Sequence, residues 1–128
     1  MAIMKIVALN VRYNNDLCGY LAQCTRAPGK RLYMYAYAEG YLAQNNAKAI
    51  SLSLSLRKEA YYSEHLFGFF DNLLSEGWLK REQAKLLNIN EIDHFSLLAK
   101  NGADMAGAVT VSPDEKLSNL LEPYFRNI

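Results

Sequence analysis

Residues 32–38 read Leu-Tyr-Met-Tyr-Ala-Tyr-Ala, and this strict alternation fits only one regular backbone. A β-strand turns successive side chains to opposite faces. Tyr33, Tyr35 and Tyr37 therefore share one face, and Leu32, Met34 and Ala36 share the other. Similar stretches flank this one. Residues 4–11 are apolar and β-branched, Asn14-Asn15-Asp16 is a turn cluster, and residues 17–24 resume as a strand, so the chain is expected to open on a hairpin. Ala27-Pro28-Gly29-Lys30-Arg31 reads as a loop. Glu39-Gly40 ends the tyrosine strand, and residues 40–49 read as irregular, with a helical turn around Tyr41-Leu42-Ala43. Ile50-Ser51-Leu52-Ser53-Leu54-Ser55-Leu56 alternates again, which predicts another strand with leucines facing the core and serines facing outward.

The pattern then changes period. Ser63 is placed to cap a helix over 64–75, on which Leu66, Phe67, Phe69, Phe70, Leu73 and Leu74 form a wide apolar stripe. Asp71 and Asn72 fall outside that stripe, and Gly77 suits the residue just after a helix end. Further helices are expected over 78–87 and 91–100, then a loop through Gly102–Gly107 and a last strand over 108–111. Ser112-Pro113-Asp114-Glu115 carries an N-cap serine, a proline at the first helical position and an acid that completes a capping box. Leu117, Leu120 and Leu121 follow on one helix face. The expected class is α+β: a small antiparallel sheet or open barrel, with a helical insert packed on it and the last strand returning to the sheet.

At 128 residues, 51% hydrophobic and 21% charged, the composition is that of one globular domain. A net charge of +1 gives no reason to expect a nucleic-acid backbone or an anionic membrane as partner. Cys18 and Cys24 lie six apart on the second strand, which would place them on one face with Cα atoms about 20 Å apart, too far to bridge. Two free thiols fit a reducing compartment. The apolar run Ile6–Leu9 is too short for a signal core or a membrane span. A soluble cytoplasmic protein is expected.

Evidence for enzyme chemistry is thin. His65 and His94 fall in different predicted helices, each beside an acid, and read as polar-face residues. The pairwise spacings of a zinc site are absent. Gly102-Ala103-Asp104-Met105-Ala106-Gly107 joins a helix to a strand, the reverse of a phosphate-cradling loop. The tyrosine face could stack bases or cover a partner, but no cations are interleaved within the strand, so a structural role is favoured. A hydrolase built on Cys18 or Cys24 remains a separate reading.

Trp78 is the sharper candidate. If 78–87 is helical, Leu79, Gln83 and Leu86 mark the inward face, and Trp78 sits off it among Arg81, Glu82 and Lys85. An aromatic on a charged face has the character of a binding anchor. The residues alone leave open the alternative that Gly77 bends the chain and returns the indole to the core.

The opening hairpin ending Cys18-Gly19-Tyr20-Leu21, the stretch Ile50–Leu56, Phe69–Gly77, Asp93-His94-Phe95-Ser96-Leu97-Leu98-Ala99 and Gly102–Val109 occur in an order and spacing that resembles a known family. The chain is similar to the N-terminal domain of HipA-type toxin kinases, and more closely to the stand-alone HipS-like proteins of HipBST-type toxin–antitoxin systems. The resemblance covers roughly residues 4–113, with Ser75 standing where the family pattern has proline. It implies a HipA N-terminal-like domain over 1–113 and a C-terminal helical tail over 114–128. A kinase needs a nucleotide lysine, a catalytic Asp and metal ligands, and that set is missing here. The resemblance therefore implies a non-enzyme without cofactor, metal or catalytic residues. Its implied role is an antitoxin that binds and inhibits a separately encoded HipT-like Ser/Thr kinase, with a HipB-like DNA-binding protein in a ternary complex. It tips Trp78 towards the partner, with Glu76, Gly77 and Arg81 beside it. The alternative is a non-inhibitory adaptor that completes the kinase N-terminus and stabilises the complex.

Overall fold

A computed structural model of the chain describes residues 4–27, 29–77, 94–102 and 108–126. Among them, five strands form one antiparallel sheet: β1 (Lys5–Tyr13), β2 (Asp16–Ala27), β3 (Lys30–Tyr37), β4 (Tyr61–Ser63) and β5 (Val109–Pro113). The order is β4-β3-β2-β1-β5, so β4 and β5 lie at opposite edges and the sheet stays open rather than closing into a barrel. The helices are α1 (Glu39–Leu42), α2 (Gly68–Gly77), α3 (His94–Asn101), α4 (Leu117–Leu121) and α5 (Pro123–Arg126).

The opening hairpin turns through Asn14 and Asn15, both at positive φ (50° and 71°), the geometry that matches strand twist and that Asn tolerates. The last strand returns beside β1, with Val11 opposite Val111. Both sheet faces are covered. On one, Tyr33, Tyr35 and Tyr37 are buried against Phe70 of α2 and Phe95, Leu97 and Leu98 of α3. The Tyr35 ring lies 5.7 Å from Phe70 and 5.0 Å from Tyr37, and Tyr33 lies 6.0 Å from Phe95. The tyrosine stripe is core, not a platform for bases or a partner. On the other face Ala8, Ala22, Cys24, Met34 and Ala36 meet Leu117, Leu121 and Phe125.

Several sequence expectations change. Cys18 and Cys24 are both free, but they lie on opposite faces. Val11 pairs with Gly19 while Arg12 pairs with Leu17, so Cys18 is the extra residue of a β-bulge that shifts the alternation. Ile50–Leu56 is not a strand. Its backbone makes one isolated bridge, Ser51 to Leu54, and Leu52 is fully exposed rather than inward. The edge position beside β3 belongs to Tyr61–Ser63 instead. Helix α2 begins at Gly68, not 64, because the Ser63 hydroxyl accepts the His65 N–H within a local turn (3.1 Å) rather than capping a helix. At the other end α2 continues through Gly77. Ser112 and Pro113 belong to β5, where Pro113 suits an edge strand, and the following helix starts at Leu117. There Asp114, not Ser112, supplies the side-chain acceptor, taking the Lys116 N–H at 3.0 Å. The helix expected over 78–87, the start of the one expected at 91, and the loop 103–107 lie outside the described residues.

Candidate partner interface

Trp78 and Arg81 lie outside the described residues, so their orientation stays an expectation. Glu76 and Gly77 are the last two residues of α2, so the helix includes the glycine expected just after its end. Phe70 anchors that helix: it has no exposed surface and packs edge-on against Phe69 at 5.1 Å as well as against Tyr35. Phe69 and Leu73 are half-buried, and Asn72 is exposed.

A second surface feature stands beside α2. The Tyr37 hydroxyl donates to the Leu54 carbonyl and accepts the Ile50 N–H (3.1 Å). The Tyr41 hydroxyl donates to the Lys48 carbonyl (2.6 Å) and accepts the Lys48 N–H (3.0 Å), and the two tyrosine rings stack 6.1 Å apart. Two phenols thus do for residues 48–54 what a neighbouring strand would otherwise do. Ile50 and Leu54 are buried, which sends Leu52 outward at 105% exposure on a turn held by its own backbone bond from Leu54 N–H to Ser51 C=O (3.1 Å). A cleft of about 360 Å³ lies between this turn and α2, lined by Ser51, Ser53, Gly68, Phe69, Asn72 and Leu73. An apolar tip on a pinned backbone loses little entropy when a partner covers it, which favours affinity.

Both cysteine thiols sit where the thiolate is disfavoured. Burial pushes the Cys18 thiol up, with a counter-effect from the Tyr35 hydroxyl 3.7 Å away. Burial also pushes Cys24 up, partly offset by Arg26. Thiols held protonated are poor nucleophiles. Tyr35 is raised far above its ordinary value and Tyr37 to about 12, both chiefly by burial, so these phenols act as neutral hydrogen-bonding groups. Among the described residues, no group of three or more His, Cys, Asp and Glu could hold a metal ion. Nor is any helix there long and apolar enough to cross a membrane.

The structure does bring together one pair the sequence kept apart. His94 Nδ1 on α3 meets Asp71 Oδ1 on α2, tying the two helices. Both side chains are partly exposed, so the pair contributes at most about 1 kcal/mol. Twenty-three positions separate the two residues and no motif joins them; only the packing of α2 on α3 reveals the contact. The exposed Leu52 was likewise hidden, because Leu/Ser alternation is also the pattern of a half-buried strand.

A family profile described as "HipA N-terminal domain" matches residues 9–112. Over 67 residues the chain is 37% identical to an uncharacterized protein of Haemophilus influenzae, covering 52% of this chain and 63% of that protein. It is 28% identical to "Putative kinase Y4mE" of Sinorhizobium fredii, over 88% of this chain and 26% of the relative. Against "Putative kinase Y4dM" of the same organism it is 34% identical, over 87% of this chain and 28% of the relative. The chain thus spans about a quarter of the two relatives named as kinases.

Proposed function

The chain belongs to the HipA N-terminal domain family, and from that membership we propose that it is an antitoxin: a non-catalytic subunit that binds and inhibits a separately encoded HipT-like Ser/Thr kinase. The observation that carries this reading is the match itself. Relatives named as putative kinases match this domain over about a quarter of their own length, which supports a kinase as the partner. A HipB-like DNA-binding protein would complete the complex in the cytoplasm. Trp78 is the proposed anchor, flanked by Glu76, Gly77 and Arg81, and aimed at the kinase cleft. Leu73 lies one helical turn before Gly77, about 6 Å along the axis, so the cleft beside Leu52 would extend the same interface.

Co-expression with the partner kinase tests this. Wild-type chain should suppress growth arrest. Trp78→Ala and Leu52→Asp should each keep the wild-type melting temperature and weaken kinase binding, Trp78→Ala by about 30-fold as expected for an interface hot spot. A wild-type chain that binds the kinase yet leaves it toxic would replace inhibition with the adaptor role. A Trp78→Ala variant that unfolds would return the indole to the core.

A further inference from the structure

Strands β3 and β4 pair over three residues: Tyr33 with Ser63, Met34 with Tyr62 and Tyr35 with Tyr61. Extending that register would set Glu64 opposite Leu32 and His65 opposite Arg31. The chain leaves the sheet instead, because the His65 N–H turns back to the Ser63 hydroxyl. An open cleft of about 640 Å³ results, with Lys30, Arg31 and Leu32 on one wall and Glu64 and His65 on the other. On its far side this part of β3 pairs with β2, Leu32 with Cys24 and Arg31 with Thr25. On the cleft side, among the described residues, it pairs with nothing. A strand edge of this kind offers backbone donors and acceptors in register for an added strand.

The lining selects the strand. Arg26, Lys30 and Arg31 line the cleft beside Glu64, whose carboxylate is the one acidic group among the described residues of its wall. Arg26 also donates to the Phe125 carbonyl, which fixes it at the cleft's side, while Lys30 and Arg31 are exposed. Pairing this edge with a second copy would set Lys30 and Arg31 against their own like, which is how natural sheets guard an edge. A nucleic-acid strand would use the cations and leave the backbone groups unpaired.

We propose that this cleft binds a short, extended acidic segment of a partner protein as a sixth strand beside β3, its backbone pairing along residues 30–32 and its carboxylates meeting Lys30 and Arg31. The site is independent of the kinase reading, which rests on the end of α2, so either can fail alone.

Fluorescence anisotropy of the full chain with a labelled peptide of alternating glutamate and valine, about six residues long, tests it. The acidic peptide should bind, and its lysine counterpart should not. The double variant Lys30→Glu/Arg31→Glu, built on exposed residues, should keep its melting temperature and bind about tenfold more weakly. Two N-methylated versions of the acidic peptide, one for each strand edge, probe the backbone on the wild-type protein, so the test survives a misfolded variant. One of the two should lose about tenfold. Equal binding by both would reduce the site to charge attraction and overturn strand addition. Failure of the acidic peptide to bind, or tighter binding of oligothymidylate of equal charge, would also overturn it. So would a concentration-dependent dimer that the double variant abolishes.

Discussion

Cys18 and Gly19 together set how β2 meets its neighbours. Cys18 is the inserted residue of the bulge, and its thiol reaches the Val11 carbonyl at 3.3 Å. Gly19 lies where the ladder resumes, and a Cβ there would come within 2.5 Å of both the Ala36 carbonyl oxygen and the Tyr35 hydroxyl. Ala36 is held in the β2–β3 ladder and Tyr35 has no exposed surface, so neither has room to retreat. Gly19→Ala should therefore destabilise the fold by about 1–3 kcal/mol, as overpacking does. Urea unfolding would show it as a lower midpoint at unchanged slope, and an unchanged midpoint would refute the argument. The bulge explains why face-counting misplaced a cysteine. Alternation over 17–24 is a sound reading only while the register is unbroken, and a lone Gly19 is the sole local hint that it breaks.

Most of the elements legible in the sequence have partners close in the chain, although β5, equally legible, returns to β1 from about 100 positions away. β1 and β2 join through a two-residue turn, β3 follows at once, and the apolar patterns of Phe69–Leu73 and Phe95–Leu98 mark helices by period alone. Residues 50–56 and 61–63 compete for one place beside β3, and propensity does not decide between them. Their contest is decided by hydroxyls: Tyr37 and Tyr41 engage the backbone of 48–54 as a loop, and β4 takes the edge. Tyr37→Phe should then leave the Ile50 N–H and the Leu54 carbonyl without that partner, at a cost of about 1–3 kcal/mol. Hydrogen exchange at the Ile50 amide should speed up accordingly. Tyr35→Phe makes the control, since among the described residues its hydroxyl reaches only the Cys18 sulfur, at 3.7 Å, and should cost less. Equal losses in the two variants would mean that ring packing, not the hydroxyl, holds the loop. Trp78 was legible as a candidate because a tryptophan among charges stands out. The cleft beside Leu52 was not, since it joins segments about 20 positions apart that touch only once β3 has set the loop.

At the scale of the molecule, the sheet has two coats with different tasks. The tyrosine face carries the Leu52 turn and α2, where the kinase contact is proposed, and the opposite face carries α4 and α5. The family match stops at residue 112, and a division of the chain at 113 remains a proposal. Yet Leu117, Leu121 and Phe125 are buried against β1–β3, and the Tyr62 hydroxyl donates to the Tyr124 carbonyl at 2.7 Å. The small residues beneath them, Ala8, Ala22 and Ala36, let these helices sit close to the sheet, and without them Met34 and Cys24 would face water. Phe125 has no exposed surface and packs edge-on against Tyr62 at 6.2 Å. Phe125→Ala should therefore cost about 3–5 kcal/mol and lower the melting temperature by about 10 °C or more. Leu120 on α4, 62% exposed, sets the baseline, and Leu120→Ala should stay within about 0.5 kcal/mol of the parent. Because α4 and α5 lie across the sheet from α2 and the Leu52 turn, the Phe125 variant should still inhibit the kinase, if the proposed function holds, wherever it remains folded. If Phe125→Ala melts with the parent, the C-terminal helices ride on the sheet without supporting it. If it stays folded but no longer inhibits, the face they cover takes part in kinase binding.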